Sequence, residues 1–473
     1  MLLESGIYRL VYEYYETRIL FGYYRYGEHL PSINRICDIF QMAPATVRNA
    51  LSVLEKKGLI RVDARKTAKV IYKSSPAGFR RNAVKYFAPR EAGVRELCES
   101  GRLLLEPLWE EGVRRWDEKN WQWFTKKLMA PSGNAVSLPV ELYYLALLSL
   151  NNGLALNFYW EVIGYIRLPY LVNKDENEIT PYTGTDRCRE DVVTWLHEQF
   201  ADFYCEAVQE IKTFLRKNEE AVFPKGTEQL PFHWNIYRQR PQLCYTMVSL
   251  IIREINRGIY AAGSYLPSLP KMAEIYGVSV STVRRTLSIL KSLGLIESFH
   301  GKGTQICTTV RPMDFSKTEI REGMRLYLES MEVLALTIRR ISFYTLEHIC
   351  EDERRQLEEE FLKMLREGKS YRSFEICLFF IEEKCPLSIV RECYGQLREM
   401  LAWGYSFTLH RLKARSLHDE YKERIQKAAE DLHQRDYKAF AEKWESLLKH
   451  EEKMMRNGLT GLLETGEKNN KIL

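Results

Sequence analysis

Two short clusters carry the side chains best suited to reading another molecule: Ala45-Thr46-Val47-Arg48-Asn49, and Ser279-Val280-Ser281-Thr282-Val283-Arg284-Arg285. Arginine offers a fork of N–H donors, an asparagine amide donates and accepts, and Ser and Thr hydroxyls do either. That is the chemistry of recognition by hydrogen bonding. Each cluster is followed by a second basic one, Ala64-Arg65-Lys66-Thr67-Ala68-Lys69 in one case and His300-Gly301-Lys302-Gly303-Thr304 in the other. Bond-breaking chemistry has no comparable foothold. G-x-S-x-G elbows, phosphate loops and Gly-rich strand-to-helix turns are absent, and the ten cysteines include no C-x-x-C pair. No enzyme, cofactor or metal is expected.

The clusters sit inside a repeat. Gly22 to Ile33 (GYYRYGEHLPSI) recurs as Gly258 to Leu269 (GIYAAGSYLPSL), a shift of 236 residues in a chain of 473. With the same shift Thr46-Val47-Arg48 returns as Thr282-Val283-Arg284, and Gly58-Leu59-Ile60 as Gly294-Leu295-Ile296. Val47, Leu51 and Leu54 fall at helical spacing, as do Val283, Leu287 and Leu290. Ser279 is suited to cap the second of these helices, whereas Ala43 is a poor cap followed by Pro44. Gly58 and Gly294 are placed to end the helices in a left-handed turn. Leu59–Val62 and Leu295–Ser298 then read as short strands, with Lys69–Tyr72 and Thr304–Cys307 as their hairpin partners.

Helices and hairpin over some 70 residues spell a winged helix-turn-helix, a fold that sets the start of its second helix into the DNA major groove. The pattern Gly-x-Tyr-x-x-Gly-x-x-Leu-Pro-Ser, x-Thr-Val-Arg, Gly-Leu-Ile resembles the DNA-binding head of the GntR transcription regulators over Ile7–Tyr72 and Leu243–Val310. The resemblance implies that Thr46, Arg48, Thr282 and Arg284 touch DNA, and that His300-Gly301 probes the minor groove. Asn49, Ser279, Ser281 and Arg285 belong to the same helix starts, and Arg65, Lys66 and Lys302 to the wings; all are expected DNA contacts. Charge agrees: residues 1–75 hold 12 Lys/Arg against 7 Asp/Glu, and residues 245–310 hold 7 against 3, within a net +6.

Two departures stand out. The family has Glu-Arg after Leu-Pro-Ser and Arg after the cap Ser. Here those places hold Ile33-Asn34 and Leu269-Pro270, then Pro44 and Val280. A weaker phosphate grip or an unusual base preference is expected, and the first wing lacks the glycines of the second.

The remaining sequence reads as helices, notably over Ile320–Arg340, Glu351–Arg366 and Leu417–Asn457. Leu142 to Trp160 imitates a membrane span with 19 uncharged residues, but Asn151-Asn152-Gly153 interrupts it, so two buried helices joined by a turn are expected. Leu105-Glu106-Pro107, Asn152-Gly153-Leu154 and Arg435–Ala439 resemble features of the all-helical FadR-type effector domain. That domain often holds a metal on one Asp and three His. The matching places hold Leu142-Tyr143, Leu378-Phe379 and Ile425, and His197, His418, His433 and His450 read as isolated histidines. The first body's tryptophans and tyrosines, and Cys377, Cys385 and Cys393, read as packing.

The expected fold is mainly α, an internal duplication in which two winged helix-turn-helix domains (1–75 and 238–310) alternate with two all-helical effector or oligomerisation domains (76–237 and 311–473). Each head should have three helices and a small β-hairpin wing. The expected function is a cytoplasmic, sequence-specific regulator binding double-stranded DNA as a pseudo-dimer within one chain. Further homodimerisation and a small-molecule effector are open to it; a membrane role is not expected. The competing reading is an architectural protein whose heads bind DNA without base preference. Reduced thiols and no secretory signal accompany either reading.

Overall fold

The computed structural model describes residues 2–40, 43–63, 66–129, 138–167, 182, 188–200, 203–217, 228–236, 243–309, 311–414 and 416–470. The chain is mainly helical and divides into two compact units. One comprises Met1–Gln239 with Leu387–Ile389, the other Arg240–Pro386 with Val390–Leu473.

In the first unit, helices Leu2–Leu20, Ile33–Phe40 and Pro44–Lys56 precede a two-stranded hairpin, Ile60–Arg61 against Lys69–Val70. Pro44 opens the third helix, and Ala43 makes no side-chain cap. Val47, Ala50, Leu51 and Leu54 turn one stripe of it into the core. Gly58 closes it at φ 70°, with the Leu59 amide reaching back to the Leu54 carbonyl at 3.1 Å. The first helix is buried all round at Tyr14, Tyr15 and Ile19, because it packs on the third head helix and also on Gly153–Ile166 of the body.

That body helix is preceded by Leu138–Ser149, so Leu142–Trp160 is two buried helices. Asn151 turns the chain at φ 52°, and the Asn152 side chain caps the second helix by accepting from the Ala155 amide at 2.9 Å. Trp109, Trp116, Trp121 and Phe124 are buried, with Trp116 and Phe124 rings 5.1 Å apart. Cys98 is disulfide-bonded, a departure from thiols reduced throughout. Its helix, Glu91–Leu104, packs against Phe203–Lys217.

The second unit repeats the head with helices Leu243–Asn256, Leu269–Tyr276 and Val280–Ser292. Its hairpin is longer, Ile296–Phe299 against Gly303–Ile306, paired Ile296↔Ile306 through Phe299↔Gly303. The Ser279 hydroxyl caps the third helix, accepting from the Thr282 amide at 3.2 Å. Gly294 ends it at φ 75°.

The second body is organised by two long helices, Thr318–His348 and Tyr437–Asn470. They run antiparallel, since Arg339 pairs with Glu442 while Arg456 pairs with Glu332. The stretch expected as one helical run, Leu417–Asn457, is in fact broken. Leu417–His433 stops and Arg435 takes φ 60° before the next helix begins. The Asp436 carboxylate accepts from the Ala439 amide at 2.9 Å, so a side-chain cap makes the break where no Gly or Pro announces one. Cys377, Cys385 and Cys393 are buried, and burial pushes the Cys377 and Cys393 thiols well up, which keeps them protonated packing groups.

Candidate nucleic-acid interface

On the third helix of the second head, Val283, Thr286, Leu287, Ile289 and Leu290 are buried. Inward-facing positions fix the outward ones, since successive residues step 100° around the axis. Ser281, Arg284 and Arg285 are consequently exposed, and Thr282 is half-buried. The same geometry exposes Arg48 and Asn49 on Pro44–Lys56 and half-buries Thr46. Among the described residues neither Arg48 nor Arg284 has an ion-pair partner.

The hydroxyls of the second head are less free than their exposure suggests. Ser279 Oγ lies 2.7 Å from Ser281 Oγ and 2.8 Å from Thr282 Oγ1 while it caps the helix. Ser279 thus builds the helix start and presents its neighbours. Arg285 leans toward the body, its guanidinium 3.8 Å from the Glu319 carboxylate at the start of Thr318–His348. Sequence reasoning missed this pairing because nothing local announces a contact across 34 residues.

The second wing turns tightly. The Lys302 amide donates to the Phe299 carbonyl at 3.2 Å, and Gly301 holds φ 75° at the third turn position, as a type II turn requires. His300, Gly301 and Lys302 are all exposed there. In the first wing Lys66 is exposed, its amide donating to the Asp63 carbonyl at 3.2 Å. Arg65 lies outside the described residues.

Each first head helix is also the junction with its own body. In the first unit the buried Glu16 carboxylate meets Lys57 at 2.8 Å, Arg167 at 3.0 Å and the Tyr12 hydroxyl. Burial alone would raise its pKa, but these partners hold it below the ordinary carboxylate value. Burial and the Glu16 hydrogen bond push the Tyr12 phenol up to about 12. At the corresponding places in the second unit stand buried Ile252 and Leu293. There Ser406 donates to the Leu293 carbonyl at 2.9 Å, Tyr245 donates to Glu322 at 3.0 Å, and the Tyr245 and Trp403 rings lie 5.3 Å apart.

Among the described residues, two side-chain groups bring possible ligand atoms within 4.8 Å of one another: Glu106, Glu110 and His197, and Glu420, His450 and Glu451. An arginine already serves each. Arg114 approaches Glu110 at 3.9 Å, and Arg411 bridges Glu451 at 2.6 Å and Glu420 at 3.0 Å. Both are ion-pair networks as they stand. His433 meets Glu358 at 3.1 Å, and His418 meets the Ser370 hydroxyl at 2.8 Å. No helix among the described residues is long and apolar enough to cross a membrane.

The profile of bacterial regulatory proteins of the gntR family matches residues 7–70 and again 246–306. Both heads thus carry the DNA-binding domain of the gntR family. The HTH-type transcriptional regulator RmpR of Mycobacterium gastri is 30% identical over 119 residues, 23% of this chain and 43% of that protein. The HTH-type transcriptional regulator YhcF of Bacillus subtilis (strain 168) is 34% identical over 76 residues, 16% of this chain and 63% of YhcF. The chain thus spans about half the length of these curated relatives. Among solved structures, Streptococcus agalactiae GntR is matched over its full length and 45% of this chain, at 17% identity and a TM-score of 0.20.

Proposed function

We propose that the chain is a sequence-specific regulator of transcription that binds double-stranded DNA through both heads, a pseudo-dimer reading two unlike half-sites. The carrying observation is that Arg48 and Arg284 stand at the same place on two recognition helices, exposed and without ion-pair partners among the described residues. Guanidinium groups so placed suit the O6 and N7 acceptors of guanine. Asn49 suits adenine, whereas its counterpart Arg285 does not, and the counterpart of Ala45 is Ser281, so the halves differ. Thr46, Ser281 and Thr282 hydroxyls serve phosphates or bases, and Arg65, Lys66, His300, Gly301 and Lys302 approach from the wings. Ser279 acts mainly by holding the helix start.

In this reading the domains run 1–75, 76–237, 238–310 and 311–473, and covalent fusion keeps the heads at high mutual concentration. The helical domains set the heads, an idea supported by the Glu16–Arg167 and Arg285–Glu319 pairs. An effector bound there would act through its preference for one head setting.

The test is selection of bound duplexes from a random pool at near-physiological salt, followed by sequencing. A bipartite site with unlike halves is the expected result. A palindrome would mean that one head reads and two chains pair. Binding without enrichment would overturn the reading in favour of an architectural protein.

A further inference from the structure

The second wing carries more than its basic tip. In its antiparallel ladder Phe299 pairs with Gly303 and Glu297 with Gln305, and Tyr265 bridges to Gln305 from the other side. Paired residues share a face, and positions two apart along a strand do too. Tyr265, Gln305, Gly303, Phe299 and Glu297 therefore form one face. The opposite face carries Ile296 and Ile306, both buried in the head. The face with Phe299 is the one turned to solvent.

Its polar members are already engaged. Gln305 donates to the Gly263 carbonyl at 2.7 Å, and Glu297 holds Arg311. The two aromatic rings are not. Tyr265 is 47% exposed and Phe299 39%, and among the described residues neither has a ring or cation partner. Between them lies Gly303, where a Cβ would come within 3.6 Å of the Tyr265 ring. The result is a flat aromatic strip beside His300 and Lys302.

We infer that this strip is a DNA contact, in which Phe299 and Tyr265 pack on the deoxyribose and base edges of the minor groove while Lys302 holds the flanking phosphate. The inference rests on the DNA-binding reading above and extends it to two residues and one chemistry. Charge selects the occupant: the strip is flanked by exposed Lys302 and His300 within a head of 7 Lys/Arg against 3 Asp/Glu. Apolar side chains beside basic ones suit a groove whose walls are sugars and whose rim is phosphate. The first head offers the contrast. Its corresponding residues are His29, Arg61, Asp63, Thr67 and Lys69, with His29 bonded to the Thr67 hydroxyl at 3.0 Å and exposed Asp63 in the place of Phe299. A carboxylate there repels phosphate, so the apolar grip belongs to the second head alone.

The experiment titrates the full chain against a duplex taken from the random-pool selection, at several salt concentrations. Phe299→Ser and Tyr265→Ser are each expected to weaken binding about three- to tenfold, and together about 30-fold, in line with aromatic contacts to nucleic acid. The slope of log affinity against log salt should stay unchanged, since no charge is removed. Lys302→Ala should instead lower that slope by about one. Equal melting midpoints establish that the variants fold; if the double variant melts early, Phe299→Thr with Tyr265→Thr, whose β-branched side chains suit a strand and carry no apolar ring, replaces it. Wild-type affinity in the folded double variant overturns the inference and leaves the DNA-binding reading standing, even if that variant loses self-association. Failure of the wild-type chain to bind any duplex overturns both.

Discussion

Arg284 and Arg285 are neighbours in sequence with different surroundings. Arg284 is exposed without an ion-pair partner among the described residues, whereas Arg285 shares its charge with Glu319. Arg284→Ala is expected to cost about 1–3 kcal/mol of specific binding and to relax preference at one base position. Equal losses on selected and random duplexes would remove its reading role. For Arg285 the informative change is on its partner. A 3.8 Å pair between half-exposed groups contributes under about 1 kcal/mol to the fold, so Glu319→Gln should leave the melting midpoint nearly unmoved. Freed from that pair, Arg285 should bind duplex more tightly, seen as a higher affinity that Arg285→Ala abolishes.

Helix ends decide where the recognition surfaces stand. Gly58 and Gly294 both hold left-handed angles, yet a Cβ at Gly58 would meet nothing within 4 Å, whereas at Gly294 it would lie 2.3 Å from the Arg311 carbonyl. Gly58→Ala should cost about 1 kcal/mol from backbone strain alone. Gly294→Ala must also displace the Arg311 segment that follows the wing, so its loss of thermal stability should be clearly the larger. Denaturant unfolding of both variants compares them directly. These ends were legible in the sequence because capping is local chemistry: Ser279 before a helix and a glycine after it are short-range signals. The break at Arg435 was not, because a non-glycine residue in a left-handed angle and an aspartate cap resemble the surrounding helix in composition. The family's glycine-aspartate feature, matched here by Arg435-Asp436, was the signal that could have found it. The Glu16 cluster was illegible for another reason: Lys57 and Arg167 reach it across the fold, and only packing brings them together.

At the scale of the whole molecule the question is how firmly each head is held. Glu16 has a folded pKa below its ordinary value, so its contribution is fully present above the ordinary carboxylate range. That contribution is lost as pH falls through the lower, folded value. Glu16→Gln should lower stability at neutral pH by about 1–3 kcal/mol, since the hydrogen-bonded pairs to Lys57 and Arg167 lose their negative charge. The gap between variant and wild type should narrow in acid. Calorimetry of the full chain across pH follows this; a gap that stayed constant would mean that Glu16 contributes by shape alone.

The two junctions also differ in kind. One is closed by a carboxylate between two cations; in the other, Ile252 and Leu293 occupy the places of Glu16 and Lys57. Apolar contact weakens on cooling, whereas added electrolyte screens charge and leaves apolar contact intact or firmer. The second junction keeps ion pairs elsewhere, Arg253 with Glu399 at 3.0 Å and Arg285 with Glu319 at 3.8 Å, so added salt is expected to weaken both, whereas chilling should loosen the second head first. One repeated junction thus feels the cold in its second copy more than in its first.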